Sequence, residues 1–263
     1  VVGVLNCDCS FKDAQSDGPV LYVLEVSPGV SRTVPFVSKA AGHQLAKIAV
    51  RCMVGDKIAD QGLTVEELEK APKYFSVKEA VFPFAKFMGV DPVLGPEMRS
   101  TGEVMGIGSD FGEALRKSQL AAASKLPSSG LCFLSVRDSD KPKVTIAAHE
   151  LHHAGFKLIA TAGTARVIQA AGIPCRSVSR VHEGRPNVID LIKNKEINLV
   201  VMSVAEHEHE LDDARAIRQV CLAEQTTYYT TMAGGLAAAE GIRRSELSEK
   251  VRDLQHLQAG VVD

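Results

Sequence analysis

A glycine-containing loop between a predicted strand and a predicted helix carries the clearest chemistry in the sequence. Residues 158–166 read LIATAGTAR, where Thr161 and Thr164 supply hydroxyls and Gly163 lets a ligand approach the backbone closely. The first turn of a helix leaves backbone N–H groups without partners inside the helix, and such groups bind anions. The segment therefore predicts a phosphate-type site, although the two threonines could also serve only to cap the helix.

Two further groups of side chains are of the types that bind metal. Cys7 and Cys9 form a CxC pair near the start of the chain, and His207 and His209 alternate with glutamates. Neither group has a partner cluster at a spacing typical of zinc sites. We therefore favour small cysteines buried on a strand and an exposed His/Glu loop, and a metal site is the alternative in both places.

The pattern of the second half of the chain predicts the elements that position the loop. Short apolar runs recur there, and helical patterns separate them. Alternation at this spacing predicts a small parallel α/β sheet with helices on both faces, whose ligands bind at the carboxyl ends of the strands. The strands are predicted at 131–136, 156–160, 175–178, 199–203 and 227–230, and the helices at 145–154, 164–171, 188–193, 211–224 and 233–242.

The first half has a different pattern. It predicts a buried strand at 21–26, one helix over 34–54 that stops at Gly55, and another helix over 111–125. Residues 126–130 read LPSSG, which is typical of a linker between domains. We therefore place one domain at 1–123 and another at 124–263. The tail after Arg243 is predicted to be an amphipathic helix.

Composition narrows the class of protein. The chain has 263 residues, 45% of them hydrophobic and 24% charged, with a net charge of −2. This charge argues against a nucleic-acid partner and against a basic membrane-binding surface. No apolar run approaches the roughly 20 residues that span a bilayer, and no signal peptide is evident. Six scattered cysteines favour a reduced, intracellular protein, so we expect a cytoplasmic location and allow for a homo-oligomer.

Longer motifs connect these elements to a known family. Residues 76–106 read SVKEAVFPFAKFMGVDPVLGPEMRSTGEVMG, and this run resembles a segment in the second ATP-grasp half of the carbamoyl-phosphate synthetase large chain. The runs 160–174 (ATAGTARVIQAAGIP) and 181–201 (VHEGRPNVIDLIKNKEINLVV) are similar to the methylglyoxal-synthase-like allosteric domain that ends this large chain. The resemblance implies an α/β fold, with part of an ATP-grasp domain followed by a small parallel-sheet domain.

The resemblance also implies an effector site in the second domain. The phosphate of an allosteric effector would contact Lys141, Thr161, Thr164, Arg180 and Ser203. True methylglyoxal synthases carry a GGD-type catalytic segment where this chain reads HEGRP at 182–186, so we expect a binding domain and not a lyase. His182 could be a general base or a structural histidine beside a turn.

One stretch departs from the family. The family has Asn-Thr where this chain has Met202 and Ser203, followed by several glutamates. We therefore expect nucleotide regulation to be altered or weakened, because carboxylates oppose a phosphate electrostatically.

The run 25–36 (EVSPGVSRTVPF) resembles the metal-binding motif of the ATP-grasp domain. The resemblance implies that Glu25, together with Asp8, holds Mg²⁺ and that Arg32 contacts ATP phosphate as a catalytic residue. Ser27 replaces the family's asparagine ligand and Gly29 replaces an arginine. The match covers only about the last quarter of the family's large chain, so the ATP site here would be incomplete. A buried strand glutamate with a local partner is the alternative for Glu25.

A second effector site is implied where the two halves meet. In family members that ornithine activates, the contacts match Glu79, Tyr228 and Thr230 of this chain. These side chains suit a ligand that carries an ammonium group.

Two functional hypotheses follow. In the first, the chain is the carboxyl-terminal portion of an ATP-dependent ligase that makes carbamoyl phosphate from bicarbonate and glutamine-derived ammonia, for pyrimidine and arginine biosynthesis. Its partners would be a glutaminase small subunit, the upstream synthetase domains and a nucleotide or ornithine effector. In the second, it is a non-catalytic effector-binding module or pseudoenzyme fragment. An active methylglyoxal synthase is disfavoured by the absent GGD segment.

Overall fold

The computed structural model describes residues 2–14, 18–29, 31–84, 92–94, 97–204, 208–243 and 251–259. Contacts divide the chain into two units, of which one comprises residues 1–73 and 250–263 and the other residues 74–249. We call them unit 1 and unit 2. The domain boundary predicted between residues 123 and 124 stays a prediction.

Unit 1 begins with an antiparallel hairpin of β1 (Leu5–Ala14) and β2 (Gly18–Pro28), with a bulge between Asp8 and Cys9. Both strands expose most of their large apolar side chains, including Phe11 (72%) and Leu24 (69%). Cys7 and Cys9 lie on β1 and are also exposed, so the predictions of buried cysteines and of a buried strand at 21–26 were both wrong. The strand itself was predicted correctly, but burial requires a covering partner, which a strand pattern alone does not specify.

Helices complete unit 1. They are α1 (Thr33–Ala41), α2 (Leu45–Met53), α3 (Val65–Glu69) and the short helix Leu254–Gln258, with a 3₁₀ turn at Ala59–Gln61. The single helix predicted over 34–54 was wrong, because Gly42 adopts the left-handed conformation (φ 78°) and ends α1. The Ser38 hydroxyl then hydrogen-bonds to the His43 carbonyl and closes the break.

Unit 2 starts with a second antiparallel hairpin, β3 (Phe75–Val81) and β4 (Gly102–Gly108), followed by α4 (Phe111–Ala121). The helix lies directly on the backbone of β4. A Cβ atom placed on Gly106 would come 2.0 Å from the Ala114 carbonyl oxygen, so only glycine permits this approach.

A five-stranded sheet forms the rest of unit 2, and all its strands are parallel. The strands are β5 (Gly130–Ser135), β6 (Phe156–Thr161), β7 (Arg176–Val178), β8 (Ile197–Met202) and β9 (Thr227–Tyr229). Their spatial order is β7-β6-β5-β8-β9, with β5 in the centre. This arrangement confirms the predicted parallel α/β sheet.

Helices cover both faces of this sheet. One layer contains α5 (Lys141–His153), α6 (Ala162–Ala170) and α9 (Met232–Arg243), and the other contains α7 (Val188–Lys193) and α8 (Glu208–Ala223). The central strand supplies both cores, because Leu134 points to the first layer and Phe133 to the second. None of the described helices combines the length and apolar character needed to cross a membrane.

Candidate functional site

A cavity of about 270 Å³ opens at the carboxyl ends of β5, β6 and β8. A residue with a hydroxyl group lies at each of these ends. Ser135 is the last residue of β5, Thr161 is the last residue of β6, and Ser203 directly follows β8. This is the edge at which parallel α/β sheets bind ligands. Lys141, Thr161, Thr164, Arg180 and Ser203, the five residues predicted for the effector phosphate, all line this one cavity.

The floor of the cavity is a chain of hydroxyls. The oxygens of Ser135 and Thr161 are 3.1 Å apart, and Thr161 donates to Thr164 at 3.5 Å. The backbone N–H of Val136 also donates to the Thr164 hydroxyl, at 3.2 Å. Thr161 stands at the N-cap of α6 but makes no side-chain bond to the helix backbone. Helix capping therefore does not account for either threonine.

Asp140 organises one wall. Its Oδ2 accepts a hydrogen bond from Ser203 at 2.7 Å and another from Arg137 Nε at 2.9 Å. The Ser203 bond lowers the pKa of Asp140 most; burial opposes it, and Arg137 adds to the lowering. The Ser203 oxygen accepts from the backbone N–H of Arg137 at 3.3 Å, so the proton of Ser203 is committed to Asp140. Ser203 thus fixes the wall and does not itself direct a proton into the cavity.

Lys141 and Arg180 are two of the cations that line the cavity, and each already pairs with a carboxylate. Lys141 Nζ lies 2.6 Å from Asp138, whose pKa is lowered by this hydrogen bond and by the lysine charge. A Cβ atom on Gly163 would come 3.7 Å from the same Nζ, so the ammonium stands over the glycine loop. Arg180 Nη1 contacts Glu210 at 3.3 Å, and 42% of the arginine side chain is exposed.

The cavity lining contains equal numbers of positively and negatively charged side chains. Three cationic and three acidic side chains line it, namely Arg137, Lys141, Arg180, Asp138, Glu210 and Asp213. An anion would therefore depend on hydroxyls and helix N–H groups as much as on cations. Asp213 also contacts His182 Nδ1 at 2.8 Å, which ties the 3₁₀ turn Val181–Glu183 to α8 and favours the structural alternative for that histidine.

The departures after β8 fall partly outside the described residues. Met202 is buried (3% exposed) in the second core layer, where its side chain packs against apolar neighbours. Glu206, His207 and the side chain of His209, on which the zinc alternative rested, lie outside the described residues, so that alternative stays a prediction.

One face of the unit 1 hairpin carries side-chain oxygen atoms that could bind a metal ion. Asp8 lies opposite Glu25 and Asn6 opposite Ser27, and residues two apart share a face. Ser27 donates to Glu25 at 3.0 Å and Asn6 donates to Asp8 at 2.9 Å. Two carboxylates and a hydroxyl match the hard oxygen ligands that Mg²⁺ prefers, so the residues fit this ion.

One further residue of unit 1, Arg32, was predicted for the ATP site. Arg32, which we predicted to contact ATP phosphate, immediately precedes α1 and is exposed. Among the described residues, no three His, Cys, Asp or Glu side chains converge on a metal position.

The residues of the possible ornithine-type site are spread over two elements of unit 2. Glu79 lies on β3, Tyr228 on β9, and Thr230 is exposed just after β9. Tyr228 packs in the second core layer, whereas Tyr229 faces α4 and donates to Gln119 at 3.0 Å. Burial, and then the charge of Glu79, raises the pKa of Tyr229. Glu79 therefore lies near Tyr229, a residue that sequence reasoning had not selected.

Sequence reasoning also missed Ser135, Asp140 and Asp213, and it read Glu210 only as one of the glutamates that oppose a phosphate, without its pairing with Arg180. Ser135 and Asp140 carried a usable signal, because they flank the end of a predicted strand at the ligand-binding edge. Glu210 and Asp213 lie on α8, whose register relative to Arg180 and His182 follows only from the three-dimensional packing.

Comparisons with known proteins find relatives for nearly the whole length of this chain. Residues 143–230 match the model of the MGS-like domain. The carbamoyl phosphate synthase large chain of Ralstonia nicotianae is 52% identical over 261 residues, and that of Pseudomonas aeruginosa is 49% identical over 261 residues. Each match covers 99% of this chain but only 24% and 23% of the relative, so the chain spans about a quarter of their length.

A solved methylglyoxal synthase from Elizabethkingia anophelis aligns with a TM-score of 0.37 and 20% identity. The alignment covers 50% of this chain and 91% of that one.

Proposed function

Since the chain is homologous over 99% of its residues to part of the carbamoyl phosphate synthase large chain and carries an MGS-like domain, we propose that it is the effector-binding, carboxyl-terminal portion of such a large chain. Its cavity at the sheet edge binds the phosphate of a small metabolite. The observation that carries the proposal is that all five residues predicted for this role line one cavity.

Hydrogen-bond directions support phosphate as the ligand. In its hydrogen bonds with Val136 and Thr161, the Thr164 oxygen is the acceptor, so its proton is available to a phosphate oxygen. Thr164 also lies at the start of α6, where backbone N–H groups and the helix dipole favour an anion. Lys141 and Arg180 add positive charge once the ligand competes with Asp138 and Glu210.

In the complete enzyme this portion would serve the synthesis of carbamoyl phosphate from bicarbonate, glutamine-derived ammonia and ATP, with a glutaminase small subunit as partner. Asp8, Glu25 and Ser27 would hold Mg²⁺, which neutralises phosphate charge when bound. Arg32 would approach the nucleotide phosphates from the start of α1.

The alternative is a non-catalytic module, and the ATP-grasp motif favours it. Gly29 stands where the family's motif has an arginine, and its surroundings within 4 Å are open, so no neighbouring side chain fills that volume. Loss of an arginine at a transferring phosphoryl group lowers rates by about 10³-fold or more, by analogy with arginine fingers.

Calorimetry tests the effector site. We expect one equivalent of inorganic phosphate, UMP or IMP to bind the 263-residue chain. Arg180→Gln should weaken that binding about tenfold or more, because a charge-assisted hydrogen bond is lost. Arg166→Gln is the matched control, since Arg166 is an exposed arginine of α6 outside the cavity lining. Absence of binding by all three ligands would overturn the proposed effector site.

An activity assay tests the module hypothesis on this chain alone. The chain spans about a quarter of its relatives, so we expect no carbamoyl phosphate when it is mixed with a glutaminase small subunit, ATP, Mg²⁺ and bicarbonate. Turnover in this mixture, lost on Glu25→Gln, would overturn the module hypothesis and leave the effector site to be judged by calorimetry alone.

A further inference from the structure

The last turn of α5 carries a histidine pair that the effector site does not use. Residues 149–153 read HELHH, and the rings of His149 and His153 lie with their centroids 4.3 Å apart and their planes tilted by 43°. Both side chains are exposed, and neither belongs to the cavity lining. Positions four apart share one face of a helix, so the contact follows from the spacing.

We propose that His149 and His153 chelate a divalent transition-metal ion of the Ni²⁺, Cu²⁺ or Zn²⁺ class. Neutral imidazole is a ligand that these ions share. Two imidazoles held on one helix face act as a chelate, because binding by the first holds the second at a high effective concentration. The pair also lies at the carboxyl end of α5, where the helix dipole favours a cation.

The site is a binding site and not a hydrolytic zinc centre. The HExxH pattern of metalloproteases also needs a glutamate that acts as general base and a further metal ligand. Here Glu150 is paired with Arg243, whose Nε lies 2.9 Å from its Oε2. Glu150 Oε1 also lies 3.8 Å from His149 Nδ1, but within the described part of the chain no three His, Cys, Asp or Glu side chains converge on a metal position. Water would fill the remaining coordination positions, which suits exchangeable binding.

His152 provides a matched control in the same turn. It carries the same exposed side chain, but the ring contact joins His149 to His153 and not to His152. The exposed thiols of Cys7 and Cys9, whose sulfurs are 3.4 Å apart, would compete for soft metals. The experiment therefore uses the full chain with Cys7→Ser and Cys9→Ser as its background and Ni²⁺ as its probe, because thiols do not reduce Ni²⁺.

Titration calorimetry with Ni²⁺ measures both the number and the affinity of sites. We expect His149→Ala/His153→Ala to lower the bound Ni²⁺ by one equivalent, and each single variant to weaken that equivalent about tenfold or more. His152→Ala should leave it unchanged. With Cu²⁺, the spectrum should show two nitrogen ligands for this equivalent.

Circular dichroism verifies that every variant keeps its fold, which we expect for exposed positions. The proposal is overturned if the background chain binds no Ni²⁺. It is equally overturned if the double variant retains every equivalent, or if His152→Ala removes one. Each of these outcomes is independent of phosphate binding, so the metal site and the effector site are tested separately.

Discussion

At the scale of single residues, a side chain that lines the cavity also forms a hydrogen bond with the backbone of the protein. Thr164 is 1% exposed, and its hydroxyl is the acceptor for the buried N–H of Val136 at the end of β5. A residue that a ligand would contact is therefore also part of the folded core. Substitutions here change stability and binding together, and the two effects have to be measured separately.

Thr164→Val keeps the shape of the side chain but removes the acceptor for Val136. We expect the free energy of unfolding to fall by about 1–3 kcal/mol, the cost of an unsatisfied buried donor. Urea denaturation measures this loss. Thr145→Val on α5 is the control, because the Thr145 hydroxyl donates to the Pro142 carbonyl in the exposed first turn of its own helix. Equal midpoints for the two variants would contradict the prediction.

Asp140 gives a pH dependence with a defined sign. Its pKa in the folded state is lowered, first by the Ser203 hydrogen bond, so it binds its proton more weakly than in the unfolded chain. Its contribution to stability is therefore fully present above the unfolded pKa of about 3.9 and is lost as the pH falls through the folded value.

Asp140→Asn should flatten this dependence. We expect the free energy of unfolding to decline less steeply below about pH 4 in the variant than in the wild type. Chemical denaturation at stepped pH values measures the slope. Asp212→Asn, an exposed position of α8, should leave the slope unchanged. An identical slope in Asp140→Asn would show that the carboxylate does not carry this linkage.

At the scale of elements, the sequence predicted the parallel sheet well and unit 1 less well. The five strands were found because buried parallel strands are short apolar runs between helical patterns. The break at Gly42 was missed because one glycine inside a helical pattern does not by itself require an end. Exposure of Cys7 and Cys9 was missed because it depends on which surfaces are covered.

The candidate site was likewise predicted only in part from the sequence. The glycine loop, its threonines and the pairing of Lys141 with Asp138 three residues earlier are local, whereas the carboxylate that pairs with Arg180 comes from packing. Glu210, on α8, reaches an arginine 30 residues earlier in the chain, a pairing that only the packed fold determines.

The contact between α4 and β4 gives a test at this scale. Gly106→Ala would place a Cβ 2.0 Å from the Ala114 carbonyl and 2.4 Å from the Ser118 nitrogen, and both are backbone atoms. We expect a loss of more than about 3 kcal/mol, because neither atom can move without shifting the helix. Gly102→Ala, in the same strand with open space around it, should change stability by less than about 1 kcal/mol. Denaturant midpoints compare the two, and similar values would refute the contact.

At the scale of the whole molecule, the two units differ in how much of their apolar surface is buried. The central strands of unit 2 contribute side chains that are fully buried, such as Leu134 and Leu199, whereas the β1–β2 hairpin exposes apolar side chains along both strands. Local opening costs little free energy where few apolar contacts hold an element.

Hydrogen exchange should reveal this difference. We expect the amides of β5, β6 and β8 to exchange slowly and those of β1 and β2 to exchange orders of magnitude faster, because sheet opening in unit 2 exposes a packed core. Mass spectrometry on peptides from each strand measures the rates, and a peptide from α5 provides an internal reference. Equal protection of the hairpin and β5 would contradict this expectation.

The order of strands in the sheet has a consequence for synthesis on the ribosome. β5 is the central strand and the first of the five to be made, yet one neighbour, β8, follows much later: the Leu131 N–H bonds to the side chain of Asn198, 67 residues further along the chain. Until β8 emerges, β5 has one open edge, and the cavity lacks the wall that contains Ser203. The ligand-binding edge is thus among the last parts of unit 2 to form during translation. Before β8 emerges, the unpaired edge of β5 can form hydrogen bonds with the wrong strand.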